Sequence, residues 1–135
     1  MQNLSGYGFG VKAYTLSLIE TALRLEKECS AAKVNQILEL GRSILSKTVI
    51  LLDGVIEVLD LLKDRYRLIV VTKGDLLDQQ RKLKRSGLED YFHHVEIMSD
   101  KKEEDYKALI HHLDIEPENF LMVGNSLKSD ILPVI

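Results

Sequence analysis

Cysteine is almost missing from this chain. Cys29 stands alone among 135 residues, so no disulfide can form within the chain, which fits a reducing compartment. The place of Cys29, late in a predicted apolar helix, favours a packing role over a nucleophile. Long hydrophobic runs are missing too: Val49–Leu52 and Leu68–Val71 fall far short of the roughly 20 residues a membrane-spanning helix needs. The opening Met1-Gln2-Asn3-Leu4-Ser5-Gly6 lacks the basic-then-apolar pattern of a secretory signal. Positive charge is not in excess. Eighteen Lys and Arg against 21 Asp and Glu leave a formal net charge of −3, which gives no overall attraction to nucleic acid or to an anionic membrane. The local exception, Arg81, Lys82, Lys84 and Arg85, reads as a solvated helix face. A zinc site is not expected. There is one cysteine and no His-x-x-x-His, and the adjacent pairs His93-His94 and His111-His112 direct their rings apart on a strand or a helix. Neither the Gly-x-x-x-x-Gly-Lys-Ser/Thr loop nor a Gly-x-Ser-x-Gly elbow occurs. Internal repeats and low-complexity segments are likewise absent. These exclusions leave a soluble, cytoplasmic protein with neither nucleic acid nor membrane as a partner.

What is present is the composition of an ordinary domain. Hydrophobic residues at 45% and charged residues at 29% place the chain among globular rather than disordered proteins, and its length suits a single core. Gly6, Gly8 and Gly10 form a Gly-x-Gly-x-Gly run with no strand before it, which reads as a flexible lead-in to a helix. A helix is predicted over about 11–28, with Leu16, Ile19, Leu23 and Leu25 as its apolar stripe and Glu20, Arg24 and Lys27 on the polar side. Ser30 can cap a second helix over about 31–46, where Val34, Ile37, Leu38, Gly41, Ile44 and Leu45 recur at helical spacing. Beyond Lys47 the pattern changes. Asp53 can cap a helix over about 54–64. Arg67–Val71 and Val95–Met98 read as strands, and Phe120–Val123 as a third. Leu76–Arg85 reads as an amphipathic helix stopped by Gly87. Glu103–Leu113 is a further helix, and Pro117 starts a short turn. Strands alternating with helices predict a parallel sheet with helical cover.

In such sheets ligands bind at the carboxyl ends of the strands, and three strand ends here carry suitable chemistry. At the first, Thr72 is followed by Lys73-Gly74-Asp75. The hydroxyl can donate to a phosphate oxygen, Gly74 lets backbone N–H groups approach, and the next helix points its first amides at an anion. A strand-ending Thr with Asp75 as helix cap fits the same residues. At the second, Lys101 lies at a helix entry, where an ammonium is unfavourable unless it meets an anion; it could neutralise a transferring phosphoryl group. It also fits a solvated charged run with Asp100, Lys102, Glu103 and Glu104. At the third, Gly124-Asn125-Ser126 leads into a helix opening near Ser129-Asp130. Asn125 and Asp130 can turn oxygens toward one point, and hard oxygens suit Mg²⁺. Asn125 as a turn former and Asp130 as a helix cap is the plainer alternative.

The order of these elements, strand–Thr72, Lys101, then Gly124-Asn125-Ser126-x-x-Ser129-Asp130, resembles motifs two, three and four of the haloacid-dehalogenase-like (HAD) hydrolases. The resemblance covers about residues 48–135. It implies an α/β fold: a Rossmann-like parallel sheet with helices on both faces, forming an incomplete HAD core over 48–135, with a helical cap region over 1–47. It also implies a Mg²⁺-dependent phosphatase that acts on a small phosphorylated metabolite through an aspartyl-phosphate, by nucleophilic catalysis assisted by a metal. In that scheme Thr72 and Lys101 are catalytic. Thr72, Lys73, Gly74 and Lys101 bind phosphate, with Lys102 as the alternative to Lys101. Asn125 and Asp130 hold Mg²⁺. There are two departures. The usual Asp at position 125 is Asn, and the Asp-x-Asp of the first motif occurs nowhere in the chain. An internal piece of a longer protein, inactive alone, is therefore the expectation, with an exposed sheet edge open to a homodimer or strand exchange. The other reading is a non-catalytic phosphate-binding or regulatory module, degenerate HAD or receiver-like.

Overall fold

The computed structural model describes residues 3–26 and 28–135; Lys27, predicted on the polar side of the first helix, lies outside them. A short helix α1 (Leu4–Tyr7) precedes α2 (Val11–Leu25) and α3 (Ala31–Leu45), which pack as a helical hairpin. Ser30 caps α3 as its sequence suggests: its hydroxyl oxygen accepts from the Lys33 N–H at 3.3 Å. At Gly41 the two helices meet through small residues, and much of the expected leucine stripe is exposed. Ala13, Thr15 and Gly41 are buried, whereas Leu16, Leu23 and Leu25 are exposed. A Cβ on Gly41 would overlap the Thr15 side chain, whose hydroxyl donates to Val11 O at 2.8 Å. The hairpin is thus closely approached at one point, and a hydroxyl that faces the neighbouring helix satisfies itself within its own turn.

Helix α4 (Val55–Leu62) is preceded by Gly54 rather than capped by Asp53. Gly54 takes the N-cap position at φ 81°, with no side-chain capping bond. A left-handed residue there needs glycine's freedom, and that geometry displaces the carboxylate one residue upstream.

Strand β1 (Ile69–Lys73), helix α5 (Leu76–Ser86) and strand β2 (His94–Met98) form a β–α–β unit with a two-stranded parallel sheet. This is the α/β fold expected. Asp75 caps α5 by accepting from the Asp78 N–H at 3.0 Å, and Gly87 closes it in the left-handed conformation. Helix α6 (Glu103–His112) follows, opened by the Asp105 carboxylate, which accepts from the Lys102 N–H at 2.9 Å.

Phe120–Val123 is not a strand, against expectation. It is a non-helical stretch that follows a 3₁₀ turn at Pro117–Asn119. Leu121 and Val123 are 86% and 84% exposed while Phe120 and Met122 are partly covered. The alternation of a strand is there, but a strand also needs the N–H and C=O groups of a neighbour. Among the described residues only β1 and β2 pair. The last helix begins earlier than expected. It is a π-helical turn, Leu127–Ile131, capped by Ser126, whose hydroxyl accepts from the Ser129 N–H at 3.2 Å.

The chain divides into two compact units, Met1–Ile97 and Met98–Ile135. In the second, Tyr106 and Leu109 of α6 are buried. The Tyr106 ring lies 6.4 Å from that of Phe120 at a tilted angle of 58°, and its hydroxyl donates to Ser129 O at 3.0 Å. No helix among the described residues is long and apolar enough to cross a membrane.

Candidate active site

In the first unit the end of β1 carries Thr72 and Lys73, and the turn after it carries Gly74 and Asp75. Thr72 sits inside β1, one residue before its end, and its hydroxyl donates to Gln79 Oε1 at 3.2 Å. A Cβ on Gly74 would stand 2.9 Å from Gln79 Nε2. Gln79, in the first turns of α5, therefore lines this loop. Sequence reasoning missed it, and its one signal was a spacing of four from the capping Asp75. The Asp75 carboxylate is held by Lys12 Nζ, at 3.0 and 3.1 Å from its two oxygens, as well as by the Asp78 N–H. The bond from Lys12 first, and then that from the Asp78 amide, keep the Asp75 carboxyl below the ordinary carboxylate range. Asp78 is itself buried, and its Oδ2 lies 3.1 Å from Lys82 Nζ without a hydrogen bond. Lys73 places its ammonium 4.0 Å from the centroid of the Phe9 ring.

In the second unit Lys101 and Asp130, separated by 29 residues, form a close ion pair with Nζ 2.6 Å from Oδ1. The side chains are only 10% and 7% exposed. The other oxygen of Asp130 accepts from the Ser126 N–H at 3.0 Å. A Cβ on Gly124 would overlap the Asp130 side chain, so glycine is what lets the carboxylate tuck beneath the Gly-Asn-Ser turn. The Lys101 bond above all lowers the Asp130 pKa, with burial opposing it and the backbone amides of Ser126 and Asn125 adding to it. Burial, followed by the charge of Asp130, pushes the Tyr106 hydroxyl up to about 12. Asp130 is therefore a carboxylate, and Tyr106 a neutral phenol, across the physiological range.

Lys102, the alternative to Lys101, has a side chain 68% exposed, with its Nζ 3.8 Å from Asp100 Oδ2. The Asn125 side chain is exposed, and its N–H points to Asp130. The histidine pairs do other work: His93 Nδ1 accepts from the Leu68 N–H at 3.2 Å, and His94 Nε2 lies 2.9 Å from Glu96 Oε2. Among the described residues no group of three His, Cys, Asp or Glu side chains is placed to hold a metal ion. Thr72, Lys73 and Gly74 belong to the first unit and Lys101, Asn125 and Asp130 to the second.

The chain thus joins an α/β fold to a hydroxyl at the end of β1 and, in the second unit, to a buried lysine paired with a carboxylate beneath a Gly-Asn-Ser turn. The description of the haloacid dehalogenase-like hydrolases matches residues 7–133, and the chain belongs to that family. It is similar to N-acylneuraminate-9-phosphatase of Mus musculus, at 31% identity over 97 residues, covering 68% of this chain and 39% of that protein. A crystal structure of a haloacid dehalogenase-like family hydrolase from Xanthomonas campestris superimposes with a TM-score of 0.93 at 40% identity, over 98% of this chain and 57% of that one. The chain thus spans 39% and 57% of the lengths of these two relatives.

Proposed function

We propose that this chain carries part of the machinery of a Mg²⁺-dependent phosphatase that acts on a small phosphorylated metabolite through an aspartyl-phosphate. The observation that carries the reading is the buried Lys101–Asp130 pair under Gly124. It puts a fixed ammonium and a fixed carboxylate at the turn of the Gly-Asn-Ser motif. A relative whose name is that of a phosphatase supports phosphate ester over other substrates.

In this reading Thr72 donates its hydroxyl to the phosphoryl group, leaving Gln79, and Lys73 with the Gly74 backbone binds the same group. Lys101 balances developing negative charge. Its burial supports that role for Lys101 over the exposed Lys102. Asn125 and Asp130 fit Mg²⁺ in donor type. They offer hard oxygens on one turn, with the carboxylate seated where a Cβ at 124 would lie, and Mg²⁺ takes only one or two carboxylates beside waters and substrate oxygens. When bound, the ion would neutralise charge on the transferring group. Asp130 is held ionised by Lys101 and the Ser126 amide whether or not the ion is present. The nucleophile is the Asp of an Asp-x-Asp, which this chain does not contain, so the chain by itself releases no phosphate. Residues 1–47 act as the cap and 48–135 as part of the core. The half-buried thiol of Cys29 suits a reducing cytoplasm.

The test is phosphate release from p-nitrophenyl phosphate, with Mg²⁺ and with EDTA, by this chain and by a form extended upstream in its gene. Mg²⁺-dependent release by the extended form alone is the expected result. Silence in both, with phosphate still bound, favours the second reading, a non-catalytic phosphate-binding module, to which the missing Asp-x-Asp and the neutral Asn125 point. Silence with no phosphate bound sinks both.

A further inference from the structure

Four positions after Ser129 stands Pro133. In an α-helix the N–H of that residue would meet the Ser129 carbonyl, and proline has none. The next N–H, that of Val134, goes instead to Ile131 O at 2.9 Å. The Ser129 carbonyl is given a donor from elsewhere: the Tyr106 hydroxyl, 23 positions upstream, reaches it at 3.0 Å.

That carbonyl belongs to the same peptide unit as the Asp130 N–H, which donates to Ser126 O at 2.7 Å. A peptide unit is planar, so bonds at both its oxygen and its nitrogen fix its orientation. They also fix the point from which the Asp130 side chain starts toward Lys101 Nζ at 2.6 Å and the Ser126 N–H at 3.0 Å. The turn here is π-helical, with the Leu132 N–H bonded to Leu127 O at 2.9 Å, a form rare outside single turns. Tyr106 is itself held in place. It is 3% exposed, and its ring packs against Phe120. All of these residues lie within one compact unit, Met98–Ile135.

We propose that Tyr106 is a positioning residue for Asp130: its hydroxyl stands in for the N–H that Pro133 lacks and holds the carboxylate where Mg²⁺ would meet it. The proposal rests on the reading of Asn125 and Asp130 as Mg²⁺ ligands. Its test is made on the labelled chain by NMR, with two readouts: hydrogen exchange of the Asp130 amide without metal, and a titration with MgCl₂ followed at the Asn125, Ser126 and Asp130 amides. Tyr106→Phe keeps the ring and removes only the hydroxyl. It is expected to speed exchange at Asp130 and to weaken Mg²⁺ binding, each by about three- to tenfold, the range of one hydrogen bond. Adding Pro133→Ala, which returns a backbone donor to the Ser129 carbonyl, is expected to recover most of both losses. Should Tyr106→Phe alone not fold, the double variant is compared with Pro133→Ala, and the two are expected to bind Mg²⁺ alike.

Unchanged exchange and unchanged Mg²⁺ affinity in Tyr106→Phe overturn the proposal and leave the metal reading intact. Faster exchange with unchanged affinity also overturns it, since Tyr106 would then serve the fold alone. So does a loss that Pro133→Ala does not recover, which would trace to packing rather than to the carbonyl. Amides that ignore Mg²⁺ in the unaltered chain remove the metal reading and the proposal together.

Discussion

Lys101 and Asp130 are joined by an ion pair of 2.6 Å that is almost wholly shielded from water, with 10% and 7% of the two side chains exposed. Removing one partner of such a pair strands a charge in a dry place, at a cost of about 3–5 kcal/mol, whereas removing both is far milder. Lys101→Met and Asp130→Asn are each expected to lower the urea midpoint strongly, and the double variant to lose much less than their sum. Strict additivity in that cycle would show that the pair is not coupled.

Gly41 and Thr15 set up a contest of two small effects. Alanine favours a helix interior over glycine by about 1 kcal/mol. Overpacking a close contact costs about 1–3 kcal/mol, and a Cβ at Gly41 would overlap Thr15. Gly41→Ala is therefore expected to destabilise the hairpin despite its better propensity, and Thr15→Ala added to it to restore stability to at least the starting value. A thermal midpoint that rises with Gly41→Ala alone would contradict this packing.

Asp75 gives a pH dependence with a definite sign. Its folded pKa is lowered by Lys12 and by the Asp78 amide. Its contribution is thus fully present well above the unfolded value of about 3.9, and is lost as pH falls through the folded value below it. Lys12→Met is expected to make the stability curve flatter on the acid side, with little change in slope near neutrality. Urea midpoints taken across the acid range would decide it, and an unaltered acid slope would discount the Lys12–Asp75 bond.

Leu121 and Val123 present an apolar edge on non-helical backbone. Unpaired edges of this kind recruit strands. We propose that the chain associates through these exposed residues, as a homodimer or by strand exchange. Sedimentation or light scattering is expected to show a concentration-dependent mass that Leu121→Lys and Val123→Lys reduce to that of the monomer. A well-folded monomer at every concentration would remove this inference.

Much of the architecture was legible because it is local. Ser30 and Asp75 cap their helices, and Gly87 ends one, since each acts on amides or carbonyls within a turn of itself. The helices α3 to α6 and the strands β1 and β2 begin and end within about two residues of where periodicity puts them. Asp53 and Gly54 mark the limit: both are plausible before a helix, and the choice depended on the path of the incoming chain.

The sequence by itself determined the α/β class and the family, because periodicity and the order of motifs are written in neighbouring residues. Tertiary structure alone decided the rest. It separated buried Lys101 from exposed Lys102, since burial depends on what a side chain meets 29 residues away. It left Phe120–Val123 without a ladder, since pairing needs a partner that propensity cannot supply. It brought Phe9 and Lys12 onto Lys73 and Asp75, a meeting that no spacing rule anticipates, because contacts across more than sixty residues exist only once the chain has folded.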